Sequence, residues 1–112
     1  MKKQINKLVR DNIPSICKEN NQTPLIRILD KNEYTSALRN KLREEVEEYL
    51  SSHEPEELAD ILEVIEALAK DHSSSIEEIM AIKREKQKRN GAFDKRIFLI
   101  GVDADDASDH LI

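Results

Sequence analysis

Leu42-Arg43-Glu44-Glu45-Val46-Glu47-Glu48-Tyr49, followed closely by Glu56-Glu57-Leu58-Ala59-Asp60, is the stretch that decides the fold. So many acids in one short run suit plain helix surface, but at about 100° per residue they do not all face water. Leu38, Leu42, Val46, Tyr49 and Leu50 share one apolar arc. Glu45 falls between Tyr34 and Leu38 at the edge of that arc, and Glu48 is its neighbour one turn on. Glu47 points away. In the second segment Leu58, Ile61, Leu62, Val64, Ile65, Leu68 and Ala69 define the apolar face, with Glu57 inside it and Asp60 at its border. Glu63 and Glu66 are expected to face outwards. Two helices thus each carry an acidic i, i+3 pair at a core margin, where lone charges are costly. That pattern calls for a cation.

Working outward, Asp30 with Glu33 has the form of a capping box and opens a helix over about 31–52. Ser51-Ser52-His53-Glu54-Pro55 breaks it, and Pro55 suits the first turn of a second helix running to about Asp71. The short connection predicts an antiparallel hairpin. Ser75 with Glu78 opens a third helix, which ends near Asn90 with Gly91 as its C′ residue. Upstream, Asn12 and Pro14 start a short helix to about Asn20, and Asn20–Pro24 is a loop. Leu25-Ile26-Arg27-Ile28-Leu29 is a β-branched run, and Phe93–Ile100 holds another, so a short pairing of 25–29 with 95–100 is expected. The fold class is mainly α: an antiparallel helical bundle of three substantial helices in residues 1–100, with an acidic, mobile tail over 101–112. Three helices leave a bundle incomplete, and an apolar flank left bare predicts a homodimer or dimer of dimers.

The composition agrees. Among 112 residues, 37% are charged and 4% aromatic, a profile of amphipathic helices in one domain rather than a β-sandwich. No apolar run is long enough to span a membrane, and the basic start Met1–Asn6 lacks a signal-peptide core. A single cysteine, Cys17, excludes an internal disulfide and fits a reducing, cytoplasmic setting, where it fills space as a small apolar residue. The net charge of −5 argues against general nucleic-acid binding. There is no glycine-rich phosphate loop, nucleophile elbow or Cys–His zinc spacing, and His53 and His72 sit at helix ends away from the acids.

Carboxylates converging from two helices are hard oxygen ligands, suited to Mg²⁺ or Mn²⁺ with water and phosphate completing the shell. Glu45, Glu48, Glu57 and Asp60 are the candidate ligands, and Glu44 is a further ligand or a base that orients water. Glu47, Glu63 and Glu66 read as solvated surface, with Arg43 and Glu47 at pairing distance on one helix. The third helix turns from an apolar stripe of Ile76, Ile79 and Met80 to Lys83, Lys86, Gln87 and Asn90. Lys83, Lys86 and Arg89 would clamp a polyphosphate; cations at a helix C-terminus are also favoured by the dipole alone. Lys7 and Arg10 are candidates for phosphate, or lie on a solvent-exposed arm.

Glu44-Glu45-x-x-Glu48 with Glu57-x-x-Asp60 resembles the EExxE…ExxD signature of the MazG-like, all-α NTP pyrophosphohydrolases. Lys7-Leu8-Val9-Arg10-Asp11-Asn12-Ile13-Pro14 and Lys86-Gln87-Lys88-Arg89-Asn90-Gly91-Ala92-Phe93 are similar to the two ends of a branch related to phosphoribosyl-ATP pyrophosphohydrolase. The resemblance covers about 5–99, with a shorter Glu48-to-Glu57 gap than in many members. It implies Mg²⁺ on Glu45, Glu48, Glu57 and Asp60, and cleavage of a nucleoside triphosphate between its α- and β-phosphates. The competing expectation is a non-catalytic helical module that binds nucleotide or protein through the same acidic face.

Overall fold

Four helices follow one another: α1 (Ile13–Glu19), α2 (Lys31–Ser52), α3 (Pro55–Asp71) and α4 (Ile76–Asn90). The computed structural model describes residues 3–103. Local chemistry sets the ends of α2. Asp30 accepts from the Glu33 backbone N–H at 2.9 Å, and the Glu33 carboxylate accepts from the Asp30 backbone N–H at 3.3 Å. Arg27 adds a second grip on Glu33 at 2.7 Å and holds its carboxyl down at about 2. At the far end His53 takes a left-handed conformation (φ 58°), and its N–H closes onto the Tyr49 carbonyl. Pro55, which has no N–H to leave unsatisfied, then starts α3.

The connection is too short for anything but reversal, and two separate ties confirm the direction. Thr35, near the start of α2, donates to the Asp71 carboxylate at the end of α3 at 2.7 Å. Glu45, late in α2, meets Glu57 and Asp60, early in α3. The helices are antiparallel. Between them lies a small core: Leu38 (3% exposed), Val64 and Ala69 are buried. Burial reaches only part of each apolar arc. Val46 and Leu50 on α2, and Leu58 and Leu62 on α3, remain exposed near the turn end of the hairpin.

The described residues divide into two compact units, one up to Met80 and one from Ala81. The hairpin, α1 and the start of α4 belong to the first. Ser75 Oγ accepts from the Glu78 N–H at 3.1 Å, and the Glu78 carboxylate takes the Ser74 hydroxyl at 2.9 Å instead of completing a capping box. The second unit holds the rest of α4, which ends at Gly91 (φ 85°), whose N–H bonds the Gln87 carbonyl.

The expected β pairing is absent. Among the described residues there is no strand, and both 25–29 and 95–100 run without ladder hydrogen bonds. Their apolar side chains are mostly exposed, Ile28 at 87% and Phe98 at 87%. Two further expectations fail locally. Arg43 donates to Asn40 at 3.0 Å rather than pairing with Glu47, and Glu66 is half-buried rather than outward. Most of the tail expected over 101–112 lies outside the described residues.

Candidate metal centre

Glu45, at the edge of α2's apolar arc, lies on the buried side of the helix and is only 7% exposed. Antiparallel packing carries α3's first turns across it. Glu57 and Asp60, three residues apart on α3, therefore present their carboxylates to the same point. One oxygen from each of Glu45, Glu57 and Asp60 lies within 4.8 Å of the others. Asp60 and Glu57 are half-buried.

The hydrogen bonding of this cluster is incomplete in one particular place. Glu45 Oε1 is 3.4 Å from Lys41 Nζ, one helical turn back. Its Oε2 is buried and meets no donor, and neither does the buried Oε2 of Glu57. A buried acceptor without a partner costs free energy comparable to a lost hydrogen bond, more when it is charged. The electrostatics follow. Burial pushes the Glu45 carboxyl above the ordinary carboxylate value, and the charges of Glu48 and Asp60 add to this against the pull of Lys41. Glu57 is raised likewise, by desolvation and then by Glu48, Asp60 and Glu45. Two buried, unpartnered oxygens on residues whose carboxylates converge suit a hard dication, so Glu45, Glu57 and Asp60 fit Mg²⁺ or Mn²⁺.

The other expected residues take different places. Glu48 is exposed and is not among the three converging acids, though its charge reaches Glu45 and Glu57. It lines an open depression of about 440 Å³ with Glu44, Glu47, Ser51, Ser52 and Glu57. The depression's lining of four glutamates and two serines suits water and cations, and a phosphate only across a bound metal, rather than a nucleobase. Glu44 is half-buried and bonded to Lys7 at 3.1 Å and to Lys41 at 3.4 Å. Burial alone would raise its carboxyl, but the hydrogen bond from Lys7 and the charge of Lys41 bring it below the usual value. Lys7 is raised in turn by that bond.

Arg10 also meets an acid. Its Nη2 lies 2.8 Å from Asp60 Oδ1 and its Nη1 lies 3.3 Å from Glu63 Oε1. Glu63, expected as plain surface, is thus an anchor for the N-terminal arm. Lys41 was missed by the sequence reading, although its i, i+3 and i, i+4 spacing to Glu44 and Glu45 is a recognisable pairing signal. The arm's pairing with α3 had no such signal, because 50 residues separate Arg10 from Asp60. Lys83, Lys86 and Arg89 are exposed on α4 in the second unit. Cys17 is a free, half-buried thiol. No helix among the described residues is long and apolar enough to cross a membrane.

Compared with protein-family models, curated proteins and solved structures, the chain matches none.

Proposed function

We propose that this chain is a Mg²⁺-dependent nucleoside triphosphate pyrophosphohydrolase of the MazG-like kind, acting in nucleotide-pool housecleaning. It would cleave between the α- and β-phosphates to give a nucleoside monophosphate and pyrophosphate. The observation that carries this reading is the buried, unpartnered Oε2 of Glu45, a residue whose carboxylate converges with those of Glu57 and Asp60. A purely structural helix hairpin has no use for such a group.

Glu45, Glu57 and Asp60 would hold the metal from two helices, with Glu48 as a fourth carboxylate on the open side. Bound there, Mg²⁺ would shield phosphate charge and acidify a coordinated water. Glu44 is kept ionised by Lys7 and Lys41, which makes it a weak base and a good acceptor. Its part is therefore to orient the attacking water. As that water's oxygen joins phosphorus, the anhydride bond breaks, its electron pair leaves with pyrophosphate, and the water's proton passes to solvent. Lys7, Arg10, Lys83, Lys86 and Arg89 are the cations available for phosphate charge. The bare apolar side chains Val46, Leu50, Leu58 and Leu62 support pairing of hairpins in a homodimer or dimer of dimers, since each is worth roughly 1.5–3 kcal/mol when fully buried.

The test is a panel of nucleoside triphosphates, standard and modified, incubated with Mg²⁺ and assayed for monophosphate and pyrophosphate. Glu45→Gln and Asp60→Asn should each abolish Mg²⁺-dependent turnover while circular dichroism shows unchanged helicity. Absence of turnover with every nucleotide refutes the enzyme and leaves a binding module.

A further inference from the structure

The segment before α1 has no helix or strand of its own over residues 3–10. Among the described residues, the polar ties from this arm to the hairpin are charge pairs: Lys7 with Glu44, and Arg10 with Asp60 and Glu63. These partners border or belong to the acidic cluster. Asp60 is one of the three carboxylates that converge, and Glu44 lies beside Glu45 on α2. The shortest of the three ties, 2.8 Å, is the one to Asp60.

We propose that the Lys7–Arg10 arm is an electrostatic latch on the acidic centre, closed through Arg10 on Asp60 when no metal is bound and released when a dication takes that carboxylate. This rests on the metal reading given above and adds a regulatory step to it. Arg10 and the dication compete for the charge of one side chain. A dication on Glu45, Glu57 and Asp60 withdraws charge from the Arg10 bond and repels the guanidinium at short range. The arm is then left with Glu63, whose side chain is about half exposed, and Glu44. All three ties join largely or partly exposed side chains and each holds little, so losing one loosens the arm, whereas a phosphate offers a guanidinium stronger, bidentate acceptors. Arg10 thus changes from guarding a carboxylate to receiving phosphate. Metal binds first and nucleotide second, because the guanidinium is freed from Asp60 only after the metal is in place.

The test uses the full chain and Mg²⁺ alone. Backbone heteronuclear NOE values for Leu8, Val9 and Arg10 are measured in EDTA and in saturating Mg²⁺, alongside amide shifts of Glu45, Glu57 and Asp60. The latch predicts that the arm amides lose NOE intensity as the cluster amides shift. Calorimetry of Arg10→Gln should show Mg²⁺ bound roughly 3- to 10-fold more tightly than by wild type. Lys95→Gln, which removes the same charge in the second unit, should change that affinity less than twofold. Cluster shifts with an arm that stays rigid overturn the latch alone, as does unchanged or weaker Mg²⁺ binding by Arg10→Gln. If the cluster amides do not respond to Mg²⁺, the metal reading fails and the latch with it.

Discussion

Replacing Glu45 with glutamine should make the metal-free protein more stable while removing its response to Mg²⁺. The carboxylate oxygens of Glu45, Glu57 and Asp60 lie within 4.8 Å of one another. Two like charges at that separation repel by roughly 1 kcal/mol with water-like screening and roughly 3 kcal/mol at an effective dielectric of about 20. Glutamine removes one charge from both pairs, and its amide can donate to the unpartnered Glu57 Oε2. Against this stands the loss of the Lys41–Glu45 pair at 3.4 Å, an i, i+4 contact worth about 0.3–0.5 kcal/mol. With water-like screening of both pairs, since Glu57 and Asp60 are only half-buried, the balance is a gain of about 1.5 kcal/mol, or about 6 °C in Tm for a chain of this size. Wild type should gain about 2.7 kcal/mol from Mg²⁺ at a hundredfold its Kd, and the variant none. Differential scanning calorimetry in EDTA and in Mg²⁺ reads both effects. A variant less stable than wild type in EDTA would mean that Glu45 is held by structural pairing. A variant that keeps the Mg²⁺ shift would refute its role as a ligand.

The raised carboxyls give a pH signature. Glu45 and Glu57 titrate above their ordinary value of 4.5, so their charged forms oppose folding above the raised pKa and that cost vanishes as pH falls towards 4.5. Glu33, held at about 2 by Arg27, contributes stability that is present above 4.5 and lost as pH falls towards 2. Thermal melts in EDTA should therefore show Tm rising as pH falls through the raised range of Glu45 and Glu57 towards about 4.5 and falling below it, while the Mg²⁺-induced shift shrinks across that range. A Tm that falls steadily from neutrality contradicts this. Asp30→Ala removes the cap on Glu33 N–H and should cost about 1 kcal/mol by urea unfolding, with hydrolysis of the best nucleotide unchanged. The phosphate role proposed for Lys83, Lys86 and Arg89 predicts that converting them together to glutamine lowers kcat/KM roughly tenfold and leaves Mg²⁺ affinity within about twofold; unaltered kinetics would refute that role.

Much of the hairpin was legible because it is set by local rules. Asp30 with Glu33, Pro55 and Gly91 each act within one turn, and the helix ends fall where those residues put them. The burial of Glu45 was legible for a related reason: angular position on a helix follows from spacing alone. What spacing cannot give is the partner across space. Leu25–Leu29 has the composition of a strand, but a strand exists only when another backbone completes its hydrogen bonds, and the second apolar run at 95–100 does not do so. Arg10 on Asp60 is the same limitation for side chains, since nothing local to either residue specifies the other. Glu48 shows a third limit. It shares the i, i+3 rhythm of Glu45 yet points far enough round the helix to be solvated, so periodicity located the acidic edge without separating its inner from its outer member.

The placement of Glu45 carries more weight than its count among many acids suggests. The hairpin buries only Leu38, Val64 and Ala69 as apolar core, and a leucine at position 45 would extend that core along the same face. Such a change would bury further apolar area and remove a desolvated charge facing two others. The chain instead keeps a carboxylate there, supplies Lys41 for one of its oxygens and leaves the other without a donor beside Glu57. Lys41 alone could have satisfied a structural acid. Two buried oxygens left without donors, one on each helix of the hairpin, are what the proposed dication would satisfy.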